Sequence, residues 1–294
     1  MYVQPEFRDS VCFIYARIKE QEKPVGTAFF VSMPIGTTGH ETVMLVTALH
    51  VISNIQLKSD DQQVRLRVNT KDGGFRFVEI NAAHWHRPDQ VDEILDIAFF
   101  PWLHVMDSEF DVRSIPIGFA ATRDVMDADQ LGVGNEVAFA GLFVNHHGKL
   151  RNEPIVRFGN IAAMPAEPVA FRSTEIEAYL VESRSVGGLS GSPVWVDSGI
   201  WRNVDGVLLR REGGSTAGYL LGIMNGHWDA RIDATAMDDA PPVEFVNMGI
   251  AVVTPVDKLI GLIMSVLGKY LDDAAKQLDG IDGSAAVAFG YPLP

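Results

Sequence analysis

The sequence predicts an all-β fold of two antiparallel blocks followed by one helix, on three observations. Apolar runs are short and rich in β-branched and aromatic residues, and Gly, Pro, Asn or Asp separates them. The hydrophobic period changes to three and four residues only after Thr254-Pro255. With 294 residues, 47% hydrophobic and 21% charged, the chain can fill one large or two moderate cores, which excludes disorder over most of its length.

In chain order, the first block offers SVCFIYARIK (10–19), VGTAFFVSM (25–33), TVMLVTAL (42–49), VRLRVNT (64–70), FRFVEINAAHW (75–85) and DIAFFPW (96–102). Lys71-Asp72-Gly73-Gly74 is a hairpin turn between two of these, since glycine supplies the positive φ that tight turns need. Residues 103–127 are mixed and polar and read as a surface linker. A boundary is expected there, with a first domain over 1–112, a linker over 113–127 and a second domain over 128–255.

The second block repeats the pattern in NEVAFAGLFV (135–144), PIVRFGNIAAM (154–164), EAYLVES (177–183), SPVWVD (192–197), VDGVLLR (204–210), GYLLGIMNG (218–226) and NMGIAVVTP (247–255). Two blocks of about six strands point to packed barrels or sandwiches. Leu259, Ile260, Ile263, Met264, Leu267, Tyr270 and Leu271 then mark an amphipathic helix over 256–278 that docks on the second block. Gly268 is expected to interrupt it or end its first part. The tail over 279–294 is small, Gly/Pro-punctuated and loosely ordered by composition.

A formal charge of −14, from 24 Lys+Arg against 38 Asp+Glu, disfavours nucleic acid and anionic membrane surfaces as partners. The single cysteine, Cys12, sits in an apolar run and has no internal disulfide partner. The first residues, MYVQPEFRDS, carry neither the basic nor the apolar region of a secretory leader, and no apolar run approaches about 18 residues. A cytoplasmic protein is the expectation. Nothing in the sequence fixes an oligomeric state.

Acyl transfer by a serine needs a base, a carboxylate to orient it, and backbone donors for the oxyanion. In MLVTALHVI an apolar strand ends in Thr47-Ala48-Leu49 and presents His50 just where the chain turns away; alone it reads more simply as a core or surface histidine. Asp96, in LDIAFFPW, heads an apolar strand, where a buried acid is costly unless hydrogen-bonded, although such an Asp is often a turn residue. Ser190 lies in VGGLSGSPVW, whose glycines permit close backbone approach, so the amides of Gly188 and Ser190 can point into one cavity. Losing one such donor typically costs about 100- to 1,000-fold in rate. The order His50, Asp96, Ser190 places the first two in the first block and the serine in the second. An active site would then lie in the cleft between blocks.

Through GTAFFVS leading to TALHV, through DIAFF and GLSGSPV, and through LLGIMNG followed by GIAVVTP, the chain resembles the chymotrypsin-fold, trypsin-like serine peptidases. The landmarks keep the superfamily's order across about residues 10–265. GLSGSPV is similar to the GxSGSPV form of glutamyl endopeptidases and exfoliative toxins, and GIAVVTP to the close of Deg/Htr-type protease domains. The resemblance implies two six-stranded antiparallel β-barrels with a C-terminal α-helix, and a serine endopeptidase that needs no cofactor and acts on protein or peptide.

It also implies roles: His50 as general base, Asp96 as its orienting acid, Ser190 as nucleophile, and the amides of Gly188 and Ser190 as oxyanion hole. Asn225 matches the position that supports the buried aspartate, and Asn225-Gly226-His227 would pair with an extended substrate. Arg184 and Ser185 fall with them in the substrate-binding region, Arg184 near the base of the specificity pocket and His227 on a wall, which would favour an acidic P1 side chain. Arg184 could equally pair with Glu182.

Digestive members carry an aspartate before the nucleophile, which pairs with a freshly cut amino terminus. Here that residue is Leu189, so no activation by that route is expected. A catalytically silent, peptide-binding homologue on the same fold is the alternative. His84 and His86 alternate but lack a third ligand, so no metal site is expected. His146-His147 reads as a solvated turn, and Asp238-Asp239 as an exposed loop without the periodic oxygen ligands of a calcium site.

Overall fold

The structure, a computed structural model, describes residues 3–35, 40–88, 95–102, 109–171, 174–183, 187–204, 206–210, 218–232 and 244–279. Asp238-Asp239 and the tail beyond 279 lie outside them. The first block runs α1 (Pro5–Asp9), β1 (Val11–Ile18), β2 (Gln21–Ile35), β3 (His40–Thr47), α2 (Leu49–Lys58), β4 (Gln63–Asn69), β5 (Phe75–Asn81) and β6 (Ala98–Pro101). Then come β7 (Ile115–Pro116), α3 (Arg123–Asp129), β8 (Glu136–Gly141), β9 (Ile155–Ala163), β10 (Val169–Phe171), β11 (Thr174–Ile176), β12 (Tyr179–Glu182) and β13 (Pro193–Asp197). The chain continues through β14 (Trp201–Val204), β15 (Val207–Arg210), β16 (Gly218–Ile232), β17 (Glu244–Pro255) and α4 (Val256–Asp279).

The first sheet is curled, in the order β5-β4-β1-β2-β3-β6, with β7 pairing β2 in parallel. Its hairpins are set locally. Ile18 pairs Gln21 across Lys19-Glu20, both at positive φ (54° and 62°), and the Asp60 carboxylate accepts both turn amides, at 3.2 and 2.8 Å. That anchorage offsets the strain of two non-glycine residues in the left-handed region. The expected turn at 71–74 joins β4 to β5, with Gly73 at φ 89°.

The second sheet closes completely, in the order β12-β17-β16-β13-β8-β9. Closure leaves no edge strand exposed to other chains. Two ribbons stand outside it, β10–β11 and β14–β15. VDGVLLR therefore supplies no barrel strand; it forms half of the second ribbon, with Val207, Leu208 and Leu209 exposed.

Three apolar clusters explain why so many strands read as unbroken hydrophobic runs. Cys12, Ile14, Ala28, Phe30, Leu45 and Leu66 fill the first block, and Phe139, Val181, Leu189, Val194 and Val253 fill the second. The alternate residues of the same strands, among them Phe13, Phe29, Val31, Ala140 and Trp195, meet in a third core between the blocks. A strand buried on both faces loses the apolar/polar alternation of a half-exposed one. Helix α4 joins this third core through Val256, Leu259, Leu262 and Ile263, and it runs without a break through Gly268.

Other expectations need adjusting. The polar stretch after residue 108 holds β7 and α3, the latter ended by Gln130 in the left-handed region. His84 lies in a short 3-10 turn and His86 in a bridge to Phe99, rather than side by side on one strand. Among the described residues no three His, Cys, Asp or Glu gather as metal ligands, and no helix is long and apolar enough to cross a membrane. Cys12 is fully buried, and burial pushes its thiol pKa up, so it is chemically quiet. A closed six-stranded barrel, a curled half-barrel sheet and a C-terminal helix together make the chymotrypsin-like two-barrel architecture.

Candidate active site

His50 sits in the first turn of α2, since the strand expected to run to Leu49 stops at Thr47. The helix begins at Leu49 behind Ala48, which has no side chain able to cap it. The early amides of a helix need outside acceptors, and Asp96 supplies one: its Oδ1 accepts the His50 N–H at 2.7 Å. The other oxygen, Oδ2, lies 2.6 Å from His50 Nδ1. One carboxylate therefore caps the helix and aligns the ring that the helix carries. A negative charge at that end is also favoured by the helix dipole.

The protonation state follows from this contact. Burial on its own would raise the Asp96 pKa, but the hydrogen bond and charge of His50, the nearby Asn225 amide and the His50 N–H outweigh it. The carboxyl is held below its usual range. An ionised Asp96 only accepts, so it selects the tautomer with the proton on Nδ1 and leaves Nε2 as the basic lone pair.

Asn225, on β16, is fully buried and ties the two blocks together. Its Nδ2 donates to the Asp96 main-chain carbonyl at 2.9 Å. Its Oδ1 accepts from the Thr254 amide at 2.9 Å and the Thr254 hydroxyl at 2.7 Å. Next to it, Gly226 pairs with Val252 and half-buried His227 with Ala251 across β16–β17. Arg184 and Ser185 lie outside the described residues.

Ser190 stands in the turn over 187–191, just before β13. Its Oγ donates to the Asn225 carbonyl at 3.2 Å and makes no hydrogen bond to His50. In the same turn, the amides of Gly191 and Ser192 donate to the Met224 and Leu189 carbonyls, at 2.7 and 3.0 Å. Those of Gly188 and Ser190 have no acceptor among the described residues. Gly188 takes φ 98°, a conformation that favours glycine, and Leu189 between the two amides is fully buried. The site thus holds a carboxylate–imidazole pair, a hydroxyl and two open amides, which is the chemical inventory of acyl transfer.

Two features had no clear signal in the sequence. Thr27 and Thr47 lie buried behind the turn, Thr27 bonded to it and Thr47 to Thr27. Beside His50 an apolar hollow of about 380 Å³ opens between Ile18, Val25, Val51 and Ile55, with Lys58 also lining it.

No protein-family model matches the chain, and no curated protein matches it. Among solved structures it is similar to the apo MamO protease domain from Magnetospirillum magneticum, with a TM-score of 0.51 at 15% identity over 88% of this chain and 98% of that one. It is also similar to the drosophila Grass clip serine protease of the Toll pathway, with a TM-score of 0.43 at 11% identity over 86% and 67% of the two chains. At these identities the first likeness shows the fold alone.

Proposed function

We propose that the chain is a serine endopeptidase working through an acyl-enzyme. The observation that carries this reading is the two-point contact between Asp96 and His50, which leaves Nε2 as a base in a cleft that also holds Ser190 and two open amides. Nε2 takes the Ser190 Oγ proton as Oγ attacks the peptide carbonyl carbon. The amides of Gly188 and Ser190 receive the oxyanion. As the C–N bond breaks, His50 returns the proton to the leaving amine, and water then attacks the ester by the same route, releasing the acid. Ser190 must first turn about χ1 from the Asn225 carbonyl toward His50; such bonds are often long or misaligned before substrate binds.

The substrate is proposed to be an extended peptide that pairs with the backbone at 225–227, with an acidic P1 side chain favoured by Arg184 and His227. The apolar hollow beside His50 suits a side chain on the leaving portion. The test is labelling by a fluorophosphonate probe, followed by a panel of P1-varied peptides. Ser190→Ala should abolish labelling with the fold intact; labelling that persists defeats the assignment, and preference for Leu or Arg over Glu defeats the acidic P1.

A second reading, a catalytically silent peptide-binding homologue, is favoured by one observation: the Ser190 hydroxyl faces Asn225 rather than His50. Peptide binding without turnover or labelling would establish it.

A further inference from the structure

We infer that Thr27, on the barrel opposite Ser190, is a positioning residue that holds the turn over 187–191 in its anion-binding conformation without any charged switch. This rests on the reading of that turn as the oxyanion site.

Thr27 is fully buried on β2, and its three polar groups make four hydrogen bonds, three of them to the second barrel. Its N–H donates to the Ser190 carbonyl at 2.9 Å. Its hydroxyl donates to the Gly188 carbonyl at 2.7 Å and accepts from the Leu142 amide at 2.9 Å. Its own carbonyl accepts from the Thr47 hydroxyl at 2.7 Å, three residues before His50. The carbonyls of Gly188 and Ser190 are thus both fixed from behind by one residue.

The consequence is geometric. The Gly188 carbonyl belongs to the peptide unit joining Gly188 to Leu189, directly between the two open amides. A glycine tolerates many rotations of that unit, so something must choose one. The Thr27 hydroxyl does so: the Leu142 amide occupies its oxygen and so aims its proton, and turning the Gly188 carbonyl away would leave both that carbonyl and the hydroxyl proton without their partner in a buried place, at a cost typical of unsatisfied groups. Leu189 adds apolar anchorage in the second barrel's core, and Gly188 packs against Leu142 and Val144, with 3.0 Å between a Cβ built there and Val144 Cγ2. The main-chain carbonyl of the same residue also links the turn, through the Thr47 hydroxyl, to the segment that leads into His50.

The experiment compares Thr27→Val, which keeps the shape and removes the hydroxyl, with Thr27→Ser, which keeps the hydroxyl. Three quantities are read on folded protein: kcat and KM for a peptide ester, the Ki of a peptide aldehyde whose adduct uses the oxyanion site, and the crystal structure of each variant. Thr27→Val should lower kcat and aldehyde affinity together, by about 100-fold, with KM within about twofold and the Gly188–Leu189 peptide rotated; Thr27→Ser should stay within about threefold of the parent on the same site-placement grounds. Unchanged kcat in Thr27→Val, or equal loss in Thr27→Ser, overturns the inference. If the parent protein turns over nothing, the peptidase reading fails separately, and the crystal structures decide: a turn unmoved in Thr27→Val overturns the positioning role, and a rotated one sustains it.

Discussion

Asp96 bonds twice to one residue, through the main chain and through the ring of His50. Replacing it with Asn keeps the shape but loses the charge and permits the wrong imidazole tautomer. Asp96→Asn should therefore lower kcat on the order of 10⁴-fold with little change in KM, measured on a peptide ester. The same residue gives a pH signature in stability. Its folded pKa lies below the usual carboxylate value of about 3.9. The stabilisation is accordingly present above that value and is lost as pH falls through the lower folded one. Denaturant unfolding between about pH 2 and 5 should show a steeper acid decline in the parent than in Asp96→Asn; parallel declines would contradict the assigned shift.

Among the elements, α4 and α2 make an instructive pair. Of the apolar residues at three and four residue spacing on helix α4, the fold buries Leu259 and Ile263, with Val256 and Leu262 beside them, and leaves Met264 and Leu267 exposed. Ile263→Ala should cost about 2–5 kcal/mol in urea unfolding, whereas Met264→Ala, 56% exposed, should stay within about 0.5 kcal/mol. Equal effects would mean the helix docks by another face. The period made this helix legible in the sequence. Helix α2, LHVISNIQLK, was hidden because its β-branched residues continue the run of β3 and its cap comes from Asp96, far along the chain. The triad candidates were legible through their order and their glycines. Thr27 was not, since a hydroxyl within GTAFF reads as an ordinary strand residue until the other barrel is packed against it.

The molecule as a whole has a core shared between its two blocks as well as one inside each. Beyond the core inside each block, a third core joins them, and Phe7 of α1 stacks on Trp195 of β13 with ring centroids 4.8 Å apart. The candidate site is split the same way, with His50 and Asp96 on one side and Ser190 on the other, joined through Asn225 and Thr27. Unfolding one barrel would expose the shared core as well as its own, at about 25 cal/mol for each Å² of apolar surface. That coupling favours a single transition in a chain long enough for separate domain steps. Trp85 is buried in the first block's own core and Trp195, on β13 of the second block, in the shared core, so proteins retaining only one or the other, with the remaining tryptophans changed to Phe, report the first block and the interface separately. Both should unfold in urea at the same midpoint and with the same m-value, and hydrolytic activity should vanish over that same range. Two separated midpoints would mean that the interface is a contact between independent domains, and that the cleft can open while both barrels stay folded.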